Sequence, residues 1–544
     1  MMINIKGTDL KKMFISGANN LQNHKELVDK LNVFPVPDGD TGTNMSLTIS
    51  YAIKELLKSE VDDITNIGKV LSKGFLMGAR GNSGVILSQI VRGFAKSIEG
   101  KETLNTVDLA DALKLGSDTA YKAVIKPIEG TILTVVRESA EYAQKIAKKE
   151  DDVVRFFELV IGEANQSLKR TPELLKSLKE AGVVDSGGKG LILIYEGMYN
   201  ALKNNPIELK DSSLTAEPTT NQLSNVNSQD IEFGYCTEFI LETDKVDDTH
   251  IRDIMLKYGD SLAVVGDDEI IKVHVHTNDP GLAIQEALKF GQLLTIKIEN
   301  MRFQHENTLL EKGSNNEEVA TLSEEEKEYG FIATSMGEGL AEIFKGFGVD
   351  YVIEGGQTMN PSTEDFLKAI NSINARNIFI FPNNSNVIMA ANQAKDISDK
   401  NIIVIPTKNT PQAFSALVNF NSEDTVKENE EVFNSSLEAV KCGQVTYAVR
   451  NTTMNGIDVK EDDIIALSKG TLISSGDSVN NVTCKLVEEL VDDETSIVTL
   501  YYGDMINEED ANTLLSEIQA KFDDIDVELY YGGQPVYHYL VSVE

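Results

Sequence analysis

The spacing of apolar residues changes along the chain, and these changes limit the folds that it can adopt. Between residues 8 and 203 apolar side chains recur three and four positions apart in about eight segments, which is typical of amphipathic helices. From residue 231 to about residue 303 the period shortens to two, which indicates strands, with two short helices predicted among them. After residue 329 short apolar runs alternate with helical segments, a rhythm that predicts parallel strands joined by crossover helices.

Two polar segments separate these regions and set the predicted domain boundaries. Residues 204–230 are rich in Asn, Ser, Thr and Pro, and residues 305–328 are polar and acidic, so both have the composition of linkers. We therefore predict an all-α domain, a barrel or bundle of about eight helices, over residues 1–203. A small α/β domain is predicted over residues 231–304, and an α/β domain with a parallel sheet over residues 329–544. The pattern after residue 446 leaves the topology of that segment open.

Composition excludes several classes of function. The 544 residues carry a formal charge of −36, which argues against binding to nucleic acid or to an anionic lipid surface. The three cysteines do not form a disulfide framework, which suits a reducing compartment. The amino terminus lacks the apolar core of a signal peptide, and no apolar run has the length of a membrane span. We expect a cytoplasmic protein without a membrane span.

The densest cluster of chemical groups lies in residues 31–46, which read Leu-Asn-Val-Phe-Pro-Val-Pro-Asp-Gly-Asp-Thr-Gly-Thr-Asn-Met-Ser. The glycine between Asp38 and Asp40 allows a sharp turn, so both carboxylates can face one point. Mg²⁺ prefers such oxygen ligands together with phosphate and water. Thr41, Thr43 and the N–H groups of the helix that follows are placed to hold anionic oxygens. The alternative is that this stretch is only a turn followed by a helix N-cap.

A second segment, Met77-Gly-Ala-Arg-Gly-Asn-Ser-Gly, combines three glycines with hydrogen-bonding side chains ahead of a predicted helix. Its glycines allow the backbone close to a ligand, and a helix start offers N–H groups and partial positive charge to phosphate. The alternative is a turn between two helices that requires glycine. Two further segments are Lys126-Pro-Ile-Glu-Gly-Thr, which by itself reads as a turn with Thr131 as N-cap, and Asp185-Ser-Gly-Gly-Lys-Gly, which lacks the spacing of a P-loop.

These four segments, in this order, resemble the nucleotide-binding subunit of dihydroxyacetone kinase and, more closely, the kinase subunit of bacterial fatty acid kinase. The resemblance implies that Asp38 and Asp40 hold Mg²⁺ in the catalytic site and that the other segments surround ATP. The family carries a third aspartate before the pair, and Asn32 stands in its place here, so one or two Mg²⁺ ions remain possible. The candidate ATP-binding residues are Thr41, Thr43, Asn44, Met45, Gly78, Arg80, Asn82, Ser83, Gly84, Thr131, Asp185, Gly187 and Gly188.

The middle domain offers a separate candidate metal site. His274 and His276 are two residues apart on a predicted strand and therefore share a face, and with Cys236 they make a ligand set that suits zinc. The alternative is a polar strand face with a buried cysteine. The segments Tyr-Cys-Thr-Glu-Phe and His-Val-His-Thr resemble the kinase subunits of fatty acid kinase, in which the cysteine and two histidines form a metal site. The resemblance therefore favours zinc, in a role that the sequence leaves open.

The predicted reaction is transfer of the γ-phosphoryl group of ATP. The sequence shows no obvious catalytic base beside the acidic pair, and a carboxylate acceptor, being ionised already, would need none. The resemblance implies a fatty acid delivered by a separate fatty-acid-binding protein, docking on the C-terminal domain, an acyl-phosphate product for phospholipid synthesis, and a homodimer. The alternatives are a dihydroxyacetone or triose kinase, although the covalent histidine domain of such enzymes is not seen, and a non-catalytic nucleotide-binding regulator.

Overall fold

The computed structural model describes residues 1–32, 39–124, 126–210, 235–243, 246, 248–266, 270–300, 326–356, 359–454 and 456–544. The chain divides into two compact units, one formed by Met1–Lys210 together with Glu324–Glu544, the other by Asp211–Ser323. Among the helices of the described ranges, none combines the length and the apolar composition that crossing a bilayer requires.

The amino-terminal part of the first unit is helical, which confirms the predicted all-α domain. Within its described residues, each long helix packs against the next along the chain and the last packs back on the first, so eight of them close a ring around an apolar core. The ring closes tightly because the Ser16 hydroxyl donates to the Gly197 carbonyl at 2.6 Å, where both helices present small residues. The helices are α1 (Gly7–Gln22), α2 (Lys25–Asp29), α3 (Thr41–Lys58), α4 (Ile64–Met77), α5 (Gly81–Ser97), α6 (Thr106–Ala123), α7 (Ile132–Ile146), α8 (Val153–Leu174), α9 (Lys176–Ala181) and α10 (Ser186–Leu202).

The second unit is a small α/β domain, as predicted. Its strands β1 (Tyr235–Glu242), β2 (Gly259–Gly266), β3 (Ile270–Thr277) and β4 (Gln292–Asn300) form an antiparallel sheet in the order β2-β3-β1-β4. Helices α11 (Asp248–Met255) and α12 (Pro280–Ala287) contribute to its core. In the β1–β3 register Cys236 lies opposite His276, and Glu238 lies opposite His274. Cross-strand partners share a face of a sheet, so these four positions lie on one face.

The C-terminal part of the first unit begins with the predicted parallel sheet. Strands β5 (Lys327–Ser335), β6 (Tyr351–Glu354), β7 (Ala375–Phe381) and β8 (Asn401–Val404) pair in the order β6-β5-β7-β8. The buried phenylalanines of β7 alternate with isoleucines, so the side chains on the two faces of the strand pack into different apolar cores. The helices that accompany the sheet are α13 (Glu338–Gly346), α14 (Thr363–Ser372), α15 (Ile388–Ile397), α16 (Thr410–Val418) and α17 (Val426–Ala439).

A second, mixed sheet completes the unit and supplies the topology that the sequence left open. Its six strands pair in the order β13-β12-β9-β16-β14-β15, and β14 and β15 run parallel while the other pairs are antiparallel. The strands are β9 (Lys441–Tyr447), β12 (Ile464–Ser468), β13 (Thr471–Gly476), β14 (Ile497–Tyr502), β15 (Asp526–Tyr531) and β16 (Tyr539–Val543). A hairpin of β10 (Thr452–Met454) and β11 (Ile457–Val459) and the helices α18 (Val479–Leu490) and α19 (Glu508–Lys521) accompany it.

Candidate nucleotide-binding site

A cleft of about 990 Å³ lies between the helical ring and the C-terminal part of the same unit. One wall contains ten residues that the sequence placed in or beside the four motif segments. They are Asn32, Asp40, Thr41, Asn44, Asn82, Ser83, Thr131, Asp185, Ser186 and Gly187. The cleft therefore brings together residues from all four segments, although they are spread over more than 150 positions of the chain.

The carboxylate of Asp40 is not used to cap the helix that it precedes. Asp40 is the N-cap residue of α3, is 7% exposed, and its side chain makes no capping hydrogen bond. Asp29, at the end of α2, takes that role: its Oδ1 accepts from the N–H groups of Gly42 at 2.6 Å and Thr43 at 3.1 Å. The Thr43 hydroxyl donates to Asp29 Oδ2 at 2.9 Å. The start of α3 is thus capped by Asp29 from α2, and Asp40, which does not cap it, lines the cleft.

Four helices of the ring begin at this cleft. The first turns of α3, α5, α7 and α10 all contribute lining residues. The first N–H groups of a helix have no partner within the helix, and that end carries partial positive charge. The N-cap residue of α5, Arg80, makes no side-chain capping bond, in contrast to the caps of α7 and α10. Convergent helix starts of this kind favour an anionic ligand such as a triphosphate.

Asp185 combines a structural role with an unusual ionisation. Its Oδ2 accepts from the Gly188 N–H at 2.7 Å and so caps α10, as the predicted helix start requires. Burial raises the pKa of Asp185 to about 6, although backbone N–H groups of Gly188 and Ile132 act in the opposite direction. A carboxyl group on the wall of the cleft can therefore change its charge between mildly acidic and neutral pH.

The turn between α4 and α5 contacts the C-terminal part of the chain. Arg80 Nη1 donates to the carbonyl of Asn360 at 2.7 Å, and Nη2 lies 3.5 Å from a carboxylate oxygen of Asp365. Gly81 has a φ of +57°, in the left-handed region that favours glycine. A Cβ on Gly84 would lie 2.3 Å from the Thr48 hydroxyl, so close helix packing alone requires glycine there. The guanidinium predicted as a phosphate partner thus binds protein groups in this structure.

The opposite wall comes from the parallel sheet and its helices. Asn386, at the loop before α15, accepts a hydrogen bond from the Asn82 amide at 3.1 Å. Lys408, just before α16, and Lys469, between β12 and β13, also line the cleft, and Lys126 does so from the helical ring. Lysine side chains on both walls add positive charge that a polyphosphate would meet.

Not every predicted site residue lines the cleft. Met45 is fully buried in the helical core, and Gly188 lies in the first turn of α10, where its N–H donates to Asp185. Thr43, Gly78, Arg80 and Gly84 are likewise not among the residues that line the cleft. Asp38 lies outside the described residues, so its predicted position beside Asp40 stays a prediction.

The candidate metal ligands are only partly described. Among the described residues, no group of three or more His, Cys, Asp or Glu side chains surrounds a common point. The predicted sets, however, include Asp38, which lies outside the described residues, and the side chains of Cys236, His274 and His276, which are also outside that description. The zinc site and the second magnesium ligand therefore remain predictions.

Two contacts of the acidic segment were not predicted. Asp29 caps α3 from the preceding helix. The only sequence feature that points to this cap is a carboxylate about a dozen positions before the predicted helix start. Asn360 reaches the site from the loop between β6 and α14, where its amide donates to Asp40 Oδ2. Nothing in the local sequence of Asn360 distinguishes it from other loop asparagines, because its partner lies 320 positions away.

Three family models match successive parts of the chain. The DAK2 domain family matches residues 35–200. The middle-domain family of FakA-like fatty acid kinase proteins matches residues 232–308, and the corresponding FakA-like C-terminal family matches residues 330–544.

Full-length relatives are also found. Protein YloV of Bacillus subtilis is 45% identical over 552 residues, covering 99% of each chain. The uncharacterized protein SAR1202 of Staphylococcus aureus is 43% identical over the whole of both chains. Among solved structures, one match is the fatty acid kinase B3 protein of Streptococcus pneumoniae loaded with linoleic acid. The match covers 40% of this chain and 99% of that chain, at 14% identity. Its TM-score of 0.29 is too low to indicate a common function. The matches along the full chain show that this protein belongs to the FakA-like fatty acid kinase family, which combines a DAK2 domain with its own middle and C-terminal domains.

Proposed function

We propose that this protein transfers the γ-phosphoryl group of ATP to the carboxylate of a fatty acid held by a separate binding protein. The observation that carries the proposal is the buried Asp40, which stands at the start of α3 without capping it and lines a cleft where four helices of the ring begin. The family supplies the class of acceptor, since the middle and C-terminal matches are both to FakA-like fatty acid kinase domains.

The residues around Asp40 fit a hard divalent cation. Asp40, Asn32 and Asn44 all line the cleft and offer oxygen atoms as ligands, which is the donor type that Mg²⁺ prefers. With Asp38, they would hold Mg²⁺ against the phosphates of ATP. When bound, the cation would neutralise charge on the β- and γ-phosphate oxygens.

The nucleotide is proposed to lie with its phosphates against the first turns of α3 and α5. Asn82 and Ser83 line the cleft in the first turn of α5, where backbone N–H groups and side chains can both donate. Lys126, Lys408 and Lys469 would add charge stabilisation from the two walls. Thr131 and the start of α10 would limit the other end of the pocket, as the resemblance implies.

The acceptor chemistry needs little from the protein beyond positioning. A carboxylate oxygen attacks the γ-phosphorus, the bond from that phosphorus to the bridging oxygen of ADP breaks, and acyl-phosphate and ADP leave. No proton is lost by the acceptor, because a carboxylic acid is ionised at neutral pH. In-line phosphoryl transfer depends mainly on alignment and on charge stabilisation.

Several further assignments are part of the same proposal. The fatty-acid-binding partner would dock on the C-terminal domain, the enzyme would act as a cytoplasmic homodimer, and Cys236, His274 and His276 would hold zinc. The β1–β3 register supports the zinc set, since it places Cys236 opposite His276 and His274 on the same face. Metal analysis of the purified protein should find zinc in the wild type and a clear loss in Cys236→Ser; equal content in both would contradict this site.

The decisive experiment combines the purified chain with ATP, Mg²⁺ and a fatty-acid-loaded binding protein. Acyl-phosphate should form and can be trapped with hydroxylamine as a hydroxamate. Asp38→Ala and Asp40→Ala should abolish the product while the circular dichroism spectrum stays unchanged. Asp111→Ala, which removes an exposed carboxylate of α6, is the matched control and should keep full activity.

Other outcomes would favour the alternatives. Rapid consumption of ATP with dihydroxyacetone and without any lipid-carrying partner would identify a triose kinase instead. Tight binding of ATP with no phosphorylated product from either acceptor would indicate a regulatory nucleotide-binding protein. Full activity in Asp40→Ala would remove the assignment of Asp40 to the phosphoryl-transfer site.

A further inference from the structure

The loop between β6 and α14 inserts an asparagine side chain into the metal corner of the helical domain, the cleft wall around Asp40 and Asn44. Asn360 is fully buried, and its Nδ2 donates to Asp40 Oδ2 and lies 3.4 Å from Asn44 Oδ1. Its Oδ1 is also buried and has no hydrogen-bond partner among the described residues. The amide is oriented by Asp40, because the opposite orientation would place two oxygens together.

Several contacts hold the loop in this position. The carbonyl of Asn360 accepts from Arg80 Nη1 at 2.7 Å, and Arg80 Nη2 lies 3.5 Å from an oxygen of Asp365. The N–H of Thr363 donates to the Ala79 carbonyl at 3.2 Å. Ala79 is itself part of the apolar core beneath the parallel sheet. The turn before α5 and the loop carrying Asn360 are therefore joined by backbone, ionic and apolar contacts at once.

We propose that Asn360 is a positioning residue that orients the Asp40 carboxylate for a divalent cation, so that the C-terminal domain completes the phosphoryl-transfer site. This inference rests on the proposed function. An ionised carboxylate has about four acceptor positions, and one amide N–H occupies one of them while fixing the plane of the group. Partners that fix a metal ligand in this way change metal affinity by roughly 10- to 100-fold when removed. The buried Oδ1 of Asn360 is a further acceptor beside this corner, which a cation-bound water would satisfy.

The proposal can be tested by metal binding in the full chain. Binding of Mn²⁺, a paramagnetic substitute for Mg²⁺, is measured by electron paramagnetic resonance with a non-hydrolysable ATP analogue present. Asn360→Ala should weaken Mn²⁺ binding about 10-fold or more. Asn360→Leu, which keeps the branched shape and the number of side-chain heavy atoms but removes the amide, should show the same loss if the alanine variant folds poorly.

The matched control is Gln393→Ala. Gln393 is 7% exposed at the same contact between the two parts of the unit, where its Nε2 donates to the Ser88 hydroxyl at 2.9 Å and its Oε1 accepts from Thr363. Its loss weakens that contact without removing the partner of Asp40, so Mn²⁺ affinity should stay within about twofold of the wild type. Equal losses in Gln393→Ala and the Asn360 variants would overturn the positioning role, as would tighter Mn²⁺ binding in Asn360→Ala.

The two proposals fail in different ways. If the wild type forms no acyl-phosphate but the Asn360 variants still lose Mn²⁺ affinity, the fatty acid acceptor is wrong and the positioning role stands. If the wild type forms acyl-phosphate and the Asn360 variants bind Mn²⁺ like the wild type, the positioning role is wrong and the proposed function stands.

Discussion

Replacing Gly81 with alanine should lower both the stability of the protein and its affinity for nucleotide, because the new Cβ displaces a side chain of the cleft in addition to straining the backbone. Gly81 has a φ of +57°, and a Cβ there would lie 2.4 Å from the Asn44 Nδ2 and 3.4 Å from the Asn360 Nδ2. A contact of 2.4 Å forces the Asn44 side chain to move, and Asn44 lines the cleft. Gly100 provides the control, because its φ is +78° but nothing lies within 4 Å of its ideal Cβ.

The losses of unfolding free energy expected for Gly81→Ala and Gly100→Ala differ by the cost of moving the Asn44 side chain. A non-glycine residue in the left-handed region costs about 1–2 kcal/mol, so Gly100→Ala should lower the free energy of unfolding by that amount. Gly81→Ala carries the same strain and adds the cost of an off-rotamer Asn44, about 0.5–1.5 kcal/mol. We therefore expect a loss of about 1.5–3.5 kcal/mol for Gly81→Ala.

The assay compares both full-length variants in urea. The chain contains no tryptophan, so far-ultraviolet circular dichroism is the appropriate probe of unfolding. Binding of Mg²⁺·ATP is measured in parallel. Gly81→Ala should weaken it, because the displaced Asn44 lines the cleft, while Gly100→Ala should not. Equal unfolding free energies together with equal nucleotide affinities in the two variants would refute the placement of Asn44 in the site.

Three further changes test the elements around the cleft. Asp29→Ala removes the acceptor of the Gly42 and Thr43 N–H groups and should lower the free energy of unfolding by about 1–2 kcal/mol in urea, as loss of a helix cap does; an unchanged value would contradict that capping role. Because burial raises the pKa of Asp185 to about 6, above about 3.9 in the unfolded chain, its stabilising contribution is present below about pH 4 and is lost as pH rises through about 6. Between about pH 4 and pH 7 the free energy of unfolding should therefore fall less in Asp185→Asn than in the wild type, and the two decreases should differ by up to about 3 kcal/mol. Parallel pH profiles of the unfolding free energy would contradict the raised pKa. Burial also raises the pKa of Cys442 to about 12, so iodoacetamide at about pH 8 should alkylate this thiol at least roughly 100-fold more slowly in the native protein than in urea, as mass spectrometry can show.

The helical domain and the parallel sheet could be predicted because their patterns are local. The apolar period of α1 or α7 is complete within one helix, and the start of α10 is marked by Asp185 at its N-cap. The six-stranded sheet could not be predicted in the same way, since β9 pairs with β16 almost a hundred residues later. Its short strands carry no information about which distant strand will lie beside them.

The candidate site shows the same division between local and distant information. The cleft wall of the helical domain follows from segments that each form a turn and a helix start, so sequence reasoning found Asp40, Asn82 and Asp185. The opposite wall depends on tertiary contacts. Asn360 ends a polar loop after a strand of the parallel sheet, but nothing in the sequence predicts that this side chain meets Asp40 or that Lys408 lines the cleft. Arg80 illustrates the limit best, because its position in a glycine-rich turn suggested phosphate while its guanidinium contacts Asn360 and Asp365.

The second wall also resolves an electrostatic difficulty. A chain with a formal charge of −36 repels a triphosphate at long range, yet charges farther than about 8 Å are largely screened at physiological salt. Within that distance the field is set by groups at the cleft itself. Three acidic residues line it, Asp40, Asp185 and Glu438, and they are opposed by the helix starts of the ring and by three lysines, of which Lys408 and Lys469 come from the C-terminal part. That part also supplies Asn360 to Asp40. The local charge and the orientation of the key carboxylate thus both depend on a segment that lies more than 280 residues beyond the acidic motif, within the same compact unit.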